Sequence, residues 1–307
     1  MTDSAHIEKY GRIGHWTVGR VGYGAMQLGE GVSSDDAVAV LRRAVELGVN
    51  HIDTASFYAD GEVNRRILQA LAPYPKDLVL VSKVGAVHNN DGPLPLKAAQ
   101  KPAELRAAVE TDLRQLGVDR IPVVNLRRLD VGPGLTAEGD QIVSLDDQLA
   151  EMISLRDEGK IGAIGLSAVG PDVLRRALPA GIACVQNSYS VLDRSQEATF
   201  DLCVDEGIAW VPFFPLGSAF PGFPNVADDT TVRAVASDIG AAPAQIALAW
   251  LLARSPNTLL IPGTRSIAHL EQNLDAAELA LPAESLARLD AVGSREPADH
   301  DAGAFLD

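Results

Sequence analysis

A short run of alternating residues gives the first indication of the fold. Residues 48–58 read Gly-Val-Asn-His-Ile-Asp-Thr-Ala-Ser-Phe-Tyr, and a helix start follows near Glu62. The β-branched residues in this run predict a strand over residues 49–53. Gly48 ends an amphipathic segment that Ser33, Ser34 and Asp35 open. The stretch therefore predicts the order helix, strand, helix.

The same order repeats along the chain. Short apolar runs alternate with segments rich in Ala, Leu, Arg and Glu, and this pattern is typical of parallel strands joined by helices. The strands are predicted over residues 21–23, 49–53, 78–83, 121–126, 161–167, 184–187, 209–213 and 258–261.

Eight parallel strands with covering helices can form a closed barrel or an open doubly wound sheet. An open sheet of this kind usually shows G-x-G-x-x-G after its first strand. Here Gly22-Tyr23-Gly24-Ala25-Met26-Gln27 lacks that spacing. We therefore predict an α/β protein in which residues 1–307 form a single (β/α)8 barrel domain, a TIM barrel, with its chemistry at the C-terminal strand ends.

Two segments lie outside this repeat. Residues 10–20 contain several glycines and predict an N-terminal hairpin that covers the barrel floor. Residues 282–292 predict an additional C-terminal helix. His51 lies on the same strand face as Asp53, and we expect it to be a hydrogen-bonded interior residue.

Composition excludes several classes of function. Of the 307 residues, 47% are hydrophobic and 22% are charged, and the net charge of −15 disfavours binding to nucleic acid. The apolar runs are too short to span a membrane, and the N-terminus lacks the order of a secretory signal. We expect a cytoplasmic monomer or weak homo-oligomer. Cys184 and Cys203 lack metal-ligand spacing, and we expect no metal site.

Two polar residues at predicted strand ends, Asp53 and Lys83, together with Tyr58 in the loop after the second strand, are a set that can carry proton-transfer chemistry. Tyrosine has a reference pKa near ~10, so its hydroxyl needs a nearby positive charge to act as a proton donor at neutral pH. Lys83 can supply that charge to Tyr58, and Asp53 can keep Lys83 protonated. Each residue alone also has an ordinary structural role: a strand-end aspartate often caps the next helix, a loop tyrosine often packs at an edge, and a strand-end lysine often lies in solvent.

Residues 48–58, together with Lys83 at the end of the third predicted strand, resemble the aldo-keto reductase family and its segment G-x-N-x-I-D-T-A-x-x-Y. The resemblance extends over nearly the whole chain. It implies an NADPH-dependent oxidoreductase that reduces an aldehyde or ketone to an alcohol, with Tyr58 as the proton donor and Asp53 and Lys83 as the other catalytic residues.

Arg127 departs from the family pattern, because the resemblance places a catalytic histidine at this position. Arginine presents a planar set of donors and cannot lose its proton, so it can polarise a carbonyl or bind an anion but cannot shuttle a proton. Arg127 is therefore either a catalytic replacement that selects carboxylate or phosphate substrates, or a partner of a nearby acid. His88 is a further candidate for the site.

The resemblance places the cofactor NADPH along the second half of the chain. Ser167 and Gln186 would hold the nicotinamide amide, although Ala168 stands where the family commonly has asparagine. Phe213 would stack on the nicotinamide ring. Arg265 and Thr264 would hold the ribose 2′-phosphate beside a helix start. The remaining candidates are Pro215, Leu216, Gly217 and Ser218 on the pyrophosphate path and Gly263, His269, Gln272 and Asn273 near the adenosine.

The expected partner is a small carbonyl compound. An aromatic or anionic substrate, such as a pyridoxal-like aldehyde, is the candidate. We expect Trp16, Met26, Phe57 and Tyr58 in the substrate pocket, with the loop of residues 84–100. Two alternatives stay open at this point. One is a nicotinamide-binding regulatory protein with little turnover, and the other is reduction of a carbon-carbon double bond.

Overall fold

The computed structural model describes residues 8–89, 94–132, 134–217 and 224–293. Strands and helices alternate through most of this part of the chain. The strands are β1 Tyr10–Ile13, β2 Trp16–Gly19, β3 Tyr23–Gly24, β4 His51–Asp53, β5 Val79–Val84, β6 Ala86–His88, β7 Leu96–Ala98, β8 Ile121–Arg127, β9 Ile161–Ser167, β10 Ile182–Gln186 and β11 Ala209–Trp210. The helices are α1 Ser34–Glu46, α2 Glu62–Leu71, α3 Pro102–Leu116, α4 Leu145–Asp157, α5 Pro171–Ala177, α6 Glu197–Asp205, α7 Thr230–Ile239, α8 Pro243–Arg254, α9 Ile267–Asp275 and α10 Ala283–Asp290.

Local chemistry explains where the helices begin and end. Ser33 caps α1 by accepting a hydrogen bond from the backbone N–H of Asp36, which satisfies a donor that the first turn leaves free. Proline stands in the first turn of α3, and Gly117 ends that helix in the left-handed conformation. The sequence predicts these boundaries, since Ser33 opens the first helix and Lys101, Pro102 and Gly117 bound the third, and the structure confirms them.

The main sheet is parallel and has the strand order β3, β4, β5, β8, β9, β10, β11 in the described chain. Residues 258–261 complete the circle between its two edges. Leu259 N–H donates to the carbonyl of Trp210 at 2.8 Å, and Leu260 N–H donates to that of Arg20 at 2.7 Å. The molecule is therefore a (β/α)8 barrel, as predicted.

The closing segment is less regular than the sequence suggests. We predicted a full strand over residues 258–261, but the structure shows isolated bridges at Thr258 and Leu260. Pro256 and Pro262 flank this segment, and neither has an N–H group with which to extend the pairing. The eighth strand position is consequently held by a few hydrogen bonds only.

Two apolar layers surround the strands. Outward residues such as Leu80, Val124 and Ile164 pack against the helices in the larger core, whereas Val81 and Val123 belong to a separate cluster inside the barrel. Successive residues of a strand face opposite sides. Along β5 and β8 the inner face is therefore apolar near the floor and becomes polar toward the C-terminal end.

The hairpin of β1 and β2 covers the floor of the barrel, as predicted. Its buried residues Ile13 and Val18 join the inner cluster. Trp16 packs on β9 so closely that a Cβ atom at Gly162 would lie 2.7 Å from its ring. Gly162 begins β9 at the floor, so the expectation that Trp16 lines the substrate pocket at the opposite end was wrong.

The chain after β11 adds more helix than the repeat requires. Two helices, α7 and α8, follow this strand, and α10 confirms the predicted C-terminal helix. Trp250 of α8 donates a hydrogen bond from its indole Nε1 to Asp290 of α10 at 2.9 Å. In the described chain no single helix is long and apolar enough to cross a membrane, although α7 and α8 pass that test as a pair bent by 93°.

Candidate active site

Polar side chains collect where the parallel strands end. Asp53 is the last residue of β4, Arg127 of β8, Ser167 of β9 and Gln186 of β10, and Lys83 is the penultimate residue of β5. The C-terminal ends of parallel strands meet at one end of a barrel. The structure thus brings these five predicted residues to the same face, which we call the mouth.

Asp53 and Lys83 form a buried ion pair at the mouth. Their side chains are 4% and 6% exposed. The Lys83 ammonium donates to Asp53 Oδ1 and, at 3.2 Å, to the carbonyl oxygen of Thr54. Gln186 Nε2 donates to the other Asp53 oxygen at 2.7 Å. Both carboxylate oxygens of Asp53 therefore have partners.

The Lys83 side chain lies next to Tyr58, with its Nζ atom 5.1 Å from the centre of the Tyr58 ring. Burial acts to lower the pKa of Lys83, but the charges of Asp53 and Tyr58 and their hydrogen bonds outweigh it, and the pKa is raised. Lys83 consequently stays protonated at neutral pH. The structure places the three predicted residues so that a positive charge faces the phenol.

Arg127 lies at the same end and is partly buried. Its Nε atom has no hydrogen-bond partner among the described residues. No carboxylate in the described ranges forms an ion pair with Arg127, so the alternative of a nearby acid finds no partner there. Burial lowers the pKa of Arg127, and the Tyr58 phenol acts in the opposite direction.

A buried glutamine holds the backbone beside Arg127. Gln100 Nε2 donates to the carbonyl oxygens of Gly85 at 2.6 Å and Arg127 at 2.7 Å. Gln148 Nε2 in turn donates to the Gln100 side chain at 2.8 Å. Gln100 thus ties the ends of β5 and β8 together. The sequence offered no signal for this role, because the residues are far apart in the chain.

A small apolar cluster forms one wall of the mouth. Phe57 packs edge-on against Tyr58 with ring centres 5.2 Å apart. The hairpin of β6 and β7 adds Ala86 and Leu96, and Leu135 completes the cluster. The loop of residues 84–100, whose shape the sequence could not predict, therefore supplies part of the wall around the expected proton donor.

Unusual backbone conformations also concentrate at the mouth. Within the described ranges, the non-glycine residues with positive φ are Ala59, Asp60, Leu129, Ala168 and Phe214. Each lies one or two residues after a candidate site residue, namely Tyr58, Arg127, Ser167 or Phe213. Such conformations cost free energy and cluster at functional sites. This observation supports the location of the site independently of any motif.

The residues expected to hold a nicotinamide lie together at one side of the mouth. Ser167 is buried, and Gln186 Oε1 is buried with no partner among the described residues. Phe213 is partly buried and packs edge-on against Phe214 at 5.1 Å. The unpartnered Oε1 acceptor of Gln186 and the aromatic ring of Phe213 suit a planar ligand that carries an amide N–H. The hydrogen bond from Gln186 to Asp53 was not expected from sequence.

The expected pyrophosphate path begins with a tight turn over Pro215, Leu216 and Gly217. Gly217 has a φ of 81°, and a Cβ atom there would lie 2.0 Å from the carbonyl oxygen of Pro224. The glycine is therefore required by the approach of the chain to itself. Ser218 lies outside the described residues.

The expected adenosine end is the start of α9. Ser266 caps this helix by accepting from the N–H of His269 at 3.4 Å, and the hydroxyl of Thr264 accepts from the N–H of Ser266 at 3.1 Å. Arg265 is exposed and donates from Nε to the carbonyl of Gln27 at 3.1 Å. Its terminal nitrogens and the first helical N–H groups can receive an anion.

The other expected adenosine contacts differ in exposure. His269 and Gln272 are exposed on α9, whereas Asn273 is 7% exposed. Gly263 lies close to the end of β3, and a Cβ atom there would lie 2.7 Å from the carbonyl oxygen of Gly24. The structure therefore brings all four residues of this group to the same strand end and helix, with Asn273 the most enclosed.

Comparison with known proteins identifies relatives along most of the chain. Residues 20–294 match the model of the Aldo/keto reductase family. Pyridoxine 4-dehydrogenase of Escherichia coli strain K12 is 46% identical over 293 residues, which covers 92% of this chain and 98% of that protein.

Solved structures give the same result. An aldo/keto reductase from Klebsiella pneumoniae in complex with NADP and acetate is 28% identical, with a TM-score of 0.78, and the match covers 95% of this chain and 98% of that one. A structure of aldo-keto reductase from the same organism in complex with NADPH is 27% identical, also with a TM-score of 0.78, and covers 95% and 97% of the two chains.

Proposed function

This chain belongs to the aldo/keto reductase family, and we propose that it catalyses NADPH-dependent reduction of an aldehyde or ketone to an alcohol, with Tyr58 as the proton donor. The observation that carries this proposal is the buried ion pair of Lys83 and Asp53 beside the Tyr58 ring. A buried ion pair adds little net stability. Its place next to a phenol at the mouth favours a role in proton transfer.

Each polar side chain at the mouth has a separate role in the proposed proton transfer. When bound, NADPH supplies the hydride that reaches the carbonyl carbon. Tyr58 donates its hydroxyl proton to the carbonyl oxygen, and the charge of Lys83 stabilises the phenolate that remains. Asp53 keeps Lys83 charged and oriented, and Gln186 fixes Asp53. Water then returns a proton to Tyr58.

Arg127 takes the place of a neutral hydrogen-bond donor in this scheme. Its guanidinium has an unpartnered Nε atom at the mouth, and the Tyr58 phenol acts to raise its pKa. A buried guanidinium polarises a carbonyl oxygen and binds carboxylate or phosphate groups strongly, but it does not exchange protons. We therefore assign Arg127 to substrate orientation and leave proton transfer to Tyr58.

The geometry also supports NADPH as the cofactor. Gln186 Oε1 and Ser167 can receive the carboxamide, Phe213 can stack on the ring, and Arg265 stands at the N-terminus of α9, where a 2′-phosphate would meet its charge. Structures of relatives with NADP and NADPH are known. Because NADH lacks that phosphate, Arg265 favours NADPH.

The substrate class we propose is an aromatic aldehyde of the pyridoxal type. The relative from Escherichia coli is named pyridoxine 4-dehydrogenase. In this chain the wall formed by Phe57, Ala86 and Leu96 suits an aromatic ring, and Arg127 suits an oxygen-bearing or anionic substituent. The reverse reaction would oxidise the corresponding alcohol with NADP.

Turnover of a small aldehyde panel tests this proposal. The purified full chain is mixed with NADPH and with pyridoxal, an uncharged aromatic aldehyde or an aliphatic aldehyde, and NADPH oxidation and the alcohol product are both measured. We expect the highest kcat/KM for pyridoxal. Tight NADPH binding without turnover of any aldehyde would contradict the proposal and favour a regulatory protein.

Substitution of Arg265 tests the cofactor assignment separately. We expect Arg265→Ala to weaken NADPH binding by about tenfold or more, the usual cost of losing a charge-assisted hydrogen bond, and to leave NADH binding nearly unchanged. Fluorescence titration with both cofactors measures this. Arg114→Ala, which removes an exposed arginine from α3, is the matched control. Equal weakening of the two cofactors by Arg265→Ala would rule out contact with the 2′-phosphate.

A further inference from the structure

Asp112 of α3 is a fully buried carboxyl group that the proposed reaction does not use. It lies behind the strands, on the helix side, and therefore does not face the mouth. Burial of an ionisable group is costly unless the group has partners. The hydrogen-bond partners of Asp112 show which parts of the barrel it holds in place.

The first partner of Asp112 is the residue next to Lys83. Ser82 Oγ donates to Asp112 Oδ2 at 2.8 Å. Ser82 and Lys83 are successive residues of β5, so their side chains point to opposite faces of the sheet. Asp112 consequently holds β5 from the outside at the point where Lys83 projects into the barrel.

The second connection reaches the residue next to Asp53. Asn64 of α2 donates from Nδ2 to Asp112 Oδ1 at 2.7 Å, and its Oδ1 accepts from the Thr54 hydroxyl at 2.7 Å. The Thr54 carbonyl in turn accepts from Lys83 Nζ at 3.2 Å. Asp112 is thus linked through one amide to the end of β4.

The charge state of Asp112 changes near neutral pH. Burial raises its pKa to about 7, although hydrogen bonds from Ser82, Asn64 and Ser56 and the positive charge of Lys83 act to lower it. Lys83 of β5 acts on this carboxyl group through its charge, although its side chain lies on the other face of the strand. The neighbours from α2, from the segment after β4 and from α3 are the neutral side chains of Asn64, Ser56 and Gln115.

We propose that Asp112 is a positioning residue for the reduction: through Ser82 and Asn64 its carboxyl group holds the two strand ends that carry Lys83 and Asp53 in register beneath Tyr58. It touches neither substrate nor cofactor. This inference rests on the proposed function, because positioning is defined by the roles of Lys83, Asp53 and Tyr58 in proton transfer.

Two substitutions of Asp112 separate its geometry from its charge. Asp112→Leu removes both acceptors at similar volume, and we expect kcat to fall about tenfold or more, since small displacements of catalytic groups are expensive, with the Kd of NADPH within about twofold of wild type. Asp112→Asn retains an acceptor for Asn64 and can donate to Ser82. We expect it to restore most of kcat and to remove any inflection that Asp112 contributes to the pH profile near neutrality.

Tyr74→Phe provides the control for a purely structural effect. The Tyr74 hydroxyl donates to the carbonyl of Leu116, the last residue of α3, at 2.7 Å, so its loss weakens the same helix without touching β4 or β5. Both variants are compared at a temperature where circular dichroism shows them folded. Equal losses of kcat in Tyr74→Phe and Asp112→Leu, or an unchanged kcat in Asp112→Leu, would overturn the inference.

A readout that needs no turnover distinguishes this inference from the proposed function. The ring resonances of carbon-13-labelled Tyr58, assigned by comparison with Tyr58→Phe, report on the Lys83 charge 5.1 Å away. We expect Asp112→Leu to shift them and Tyr74→Phe to leave them in place. If Asp112→Leu does not fold, Ser82→Ala removes one connection and serves the same purpose. Unshifted resonances overturn the positioning role whether or not any aldehyde is reduced.

Discussion

The two ends of the barrel treat buried ionisable groups in opposite ways. His51 and Asp53 lie two residues apart on β4, and both are almost fully buried, at 0% and 3% exposure. At the floor, the polar group beside the His51 ring is the uncharged carbonyl of Leu260, which offsets only part of the effect of burial on the pKa of His51. At the mouth, Asp53 has Lys83 and Gln186 as partners.

The difference shows where the molecule keeps its charge. Burial lowers the pKa of His51 to about 4, so the floor residue is neutral at pH 7. The pKa of Lys83 is raised in spite of burial, because Asp53 and Tyr58 outweigh it. The buried ionisable residue at the floor is therefore uncharged, like its apolar neighbours. The buried lysine at the mouth is charged, although a buried charge is not needed for stable packing.

The largest effect is expected from removing the charge at the mouth. Lys83→Met leaves Asp53 buried without its cation, which costs about 3–5 kcal/mol of stability, and removes the support of Tyr58, which should lower kcat by about 10²- to 10⁴-fold. Denaturant unfolding and NADPH oxidation measure the two effects.

Lys160→Met is the matched control for that experiment. Lys160 pairs with Glu110 at 2.7 Å, but its side chain is 29% exposed, and such pairs contribute about 0–1 kcal/mol. A stability loss in Lys83→Met no larger than that of the control, with activity retained, would show that the mouth does not differ from the surface.

The next effect concerns acid stability at the floor. The pKa of His51 is lowered from 6.5 to about 4, so the unfolded chain binds a proton in this range and the folded chain does not. Stability is therefore lost as pH falls from 6.5 to about 4, by about 3 kcal/mol. We expect His51→Asn, which cannot titrate, to lack this loss.

Urea unfolding of both proteins across that pH range measures the difference. Asp112 has the opposite slope, because its pKa is raised to about 7 and its neutral form is favoured in the folded chain, so its contribution is lost as pH rises toward 7. Only the difference between wild type and His51→Asn isolates the histidine. If the free energies of unfolding of the two proteins change with pH in parallel, burial does not lower the pKa of His51 in the folded chain.

A smaller effect is expected from crowding the floor. A Cβ atom at Gly22 would lie 2.2 Å from His51 Nε2, so Gly22→Ala should cost about 1–3 kcal/mol by overpacking and leave kcat per folded molecule unchanged. Gly19→Ala is the control, since the nearest atom to its Cβ would be 3.6 Å away. Equal melting temperatures of the two variants would contradict the close packing of His51.

The smallest effect tests the corrected position of Trp16. Because its ring packs at the floor against Gly162, Trp16→Phe should cost about 1 kcal/mol through lost contacts and should not alter KM for any aldehyde. Steady-state kinetics with the aldehyde panel measures this. A change in KM for aromatic aldehydes would return Trp16 to the substrate pocket.

The features that sequence predicted are those encoded locally. The alternation of strands and helices, the capping residues Ser33 and Gly117 and the N-terminal hairpin all follow from residues near each other in the chain. The grouping of Asp53 and Lys83 also followed, because the end of a parallel strand fixes where a side chain must lie. Tyr58 lies in the loop after β4, and the family resemblance, not strand geometry, predicted its place beside them.

The features that sequence missed depend on contacts between distant residues. The hydrogen bonds from Gln100 to Arg127, from Gln186 to Asp53 and from Ser82 to Asp112 join residues 27, 133 and 30 positions apart. Their existence depends on strand register and helix packing, which no local pattern specifies. His51 was predicted to be a hydrogen-bonded interior residue; it is interior, and its polar neighbour is the backbone carbonyl of Leu260, a contact between residues 209 positions apart.

A single-turnover experiment tests the central claim that the charge at the mouth serves proton donation by Tyr58. Stopped-flow oxidation of bound NADPH by saturating pyridoxal is compared in wild type and Tyr58→Phe, beside fluorescence titration of NADPH with both proteins. We predict a rate constant about 10²-fold lower or more in the variant, with NADPH affinity within about twofold. A variant that transfers hydride as fast as wild type would contradict the claim.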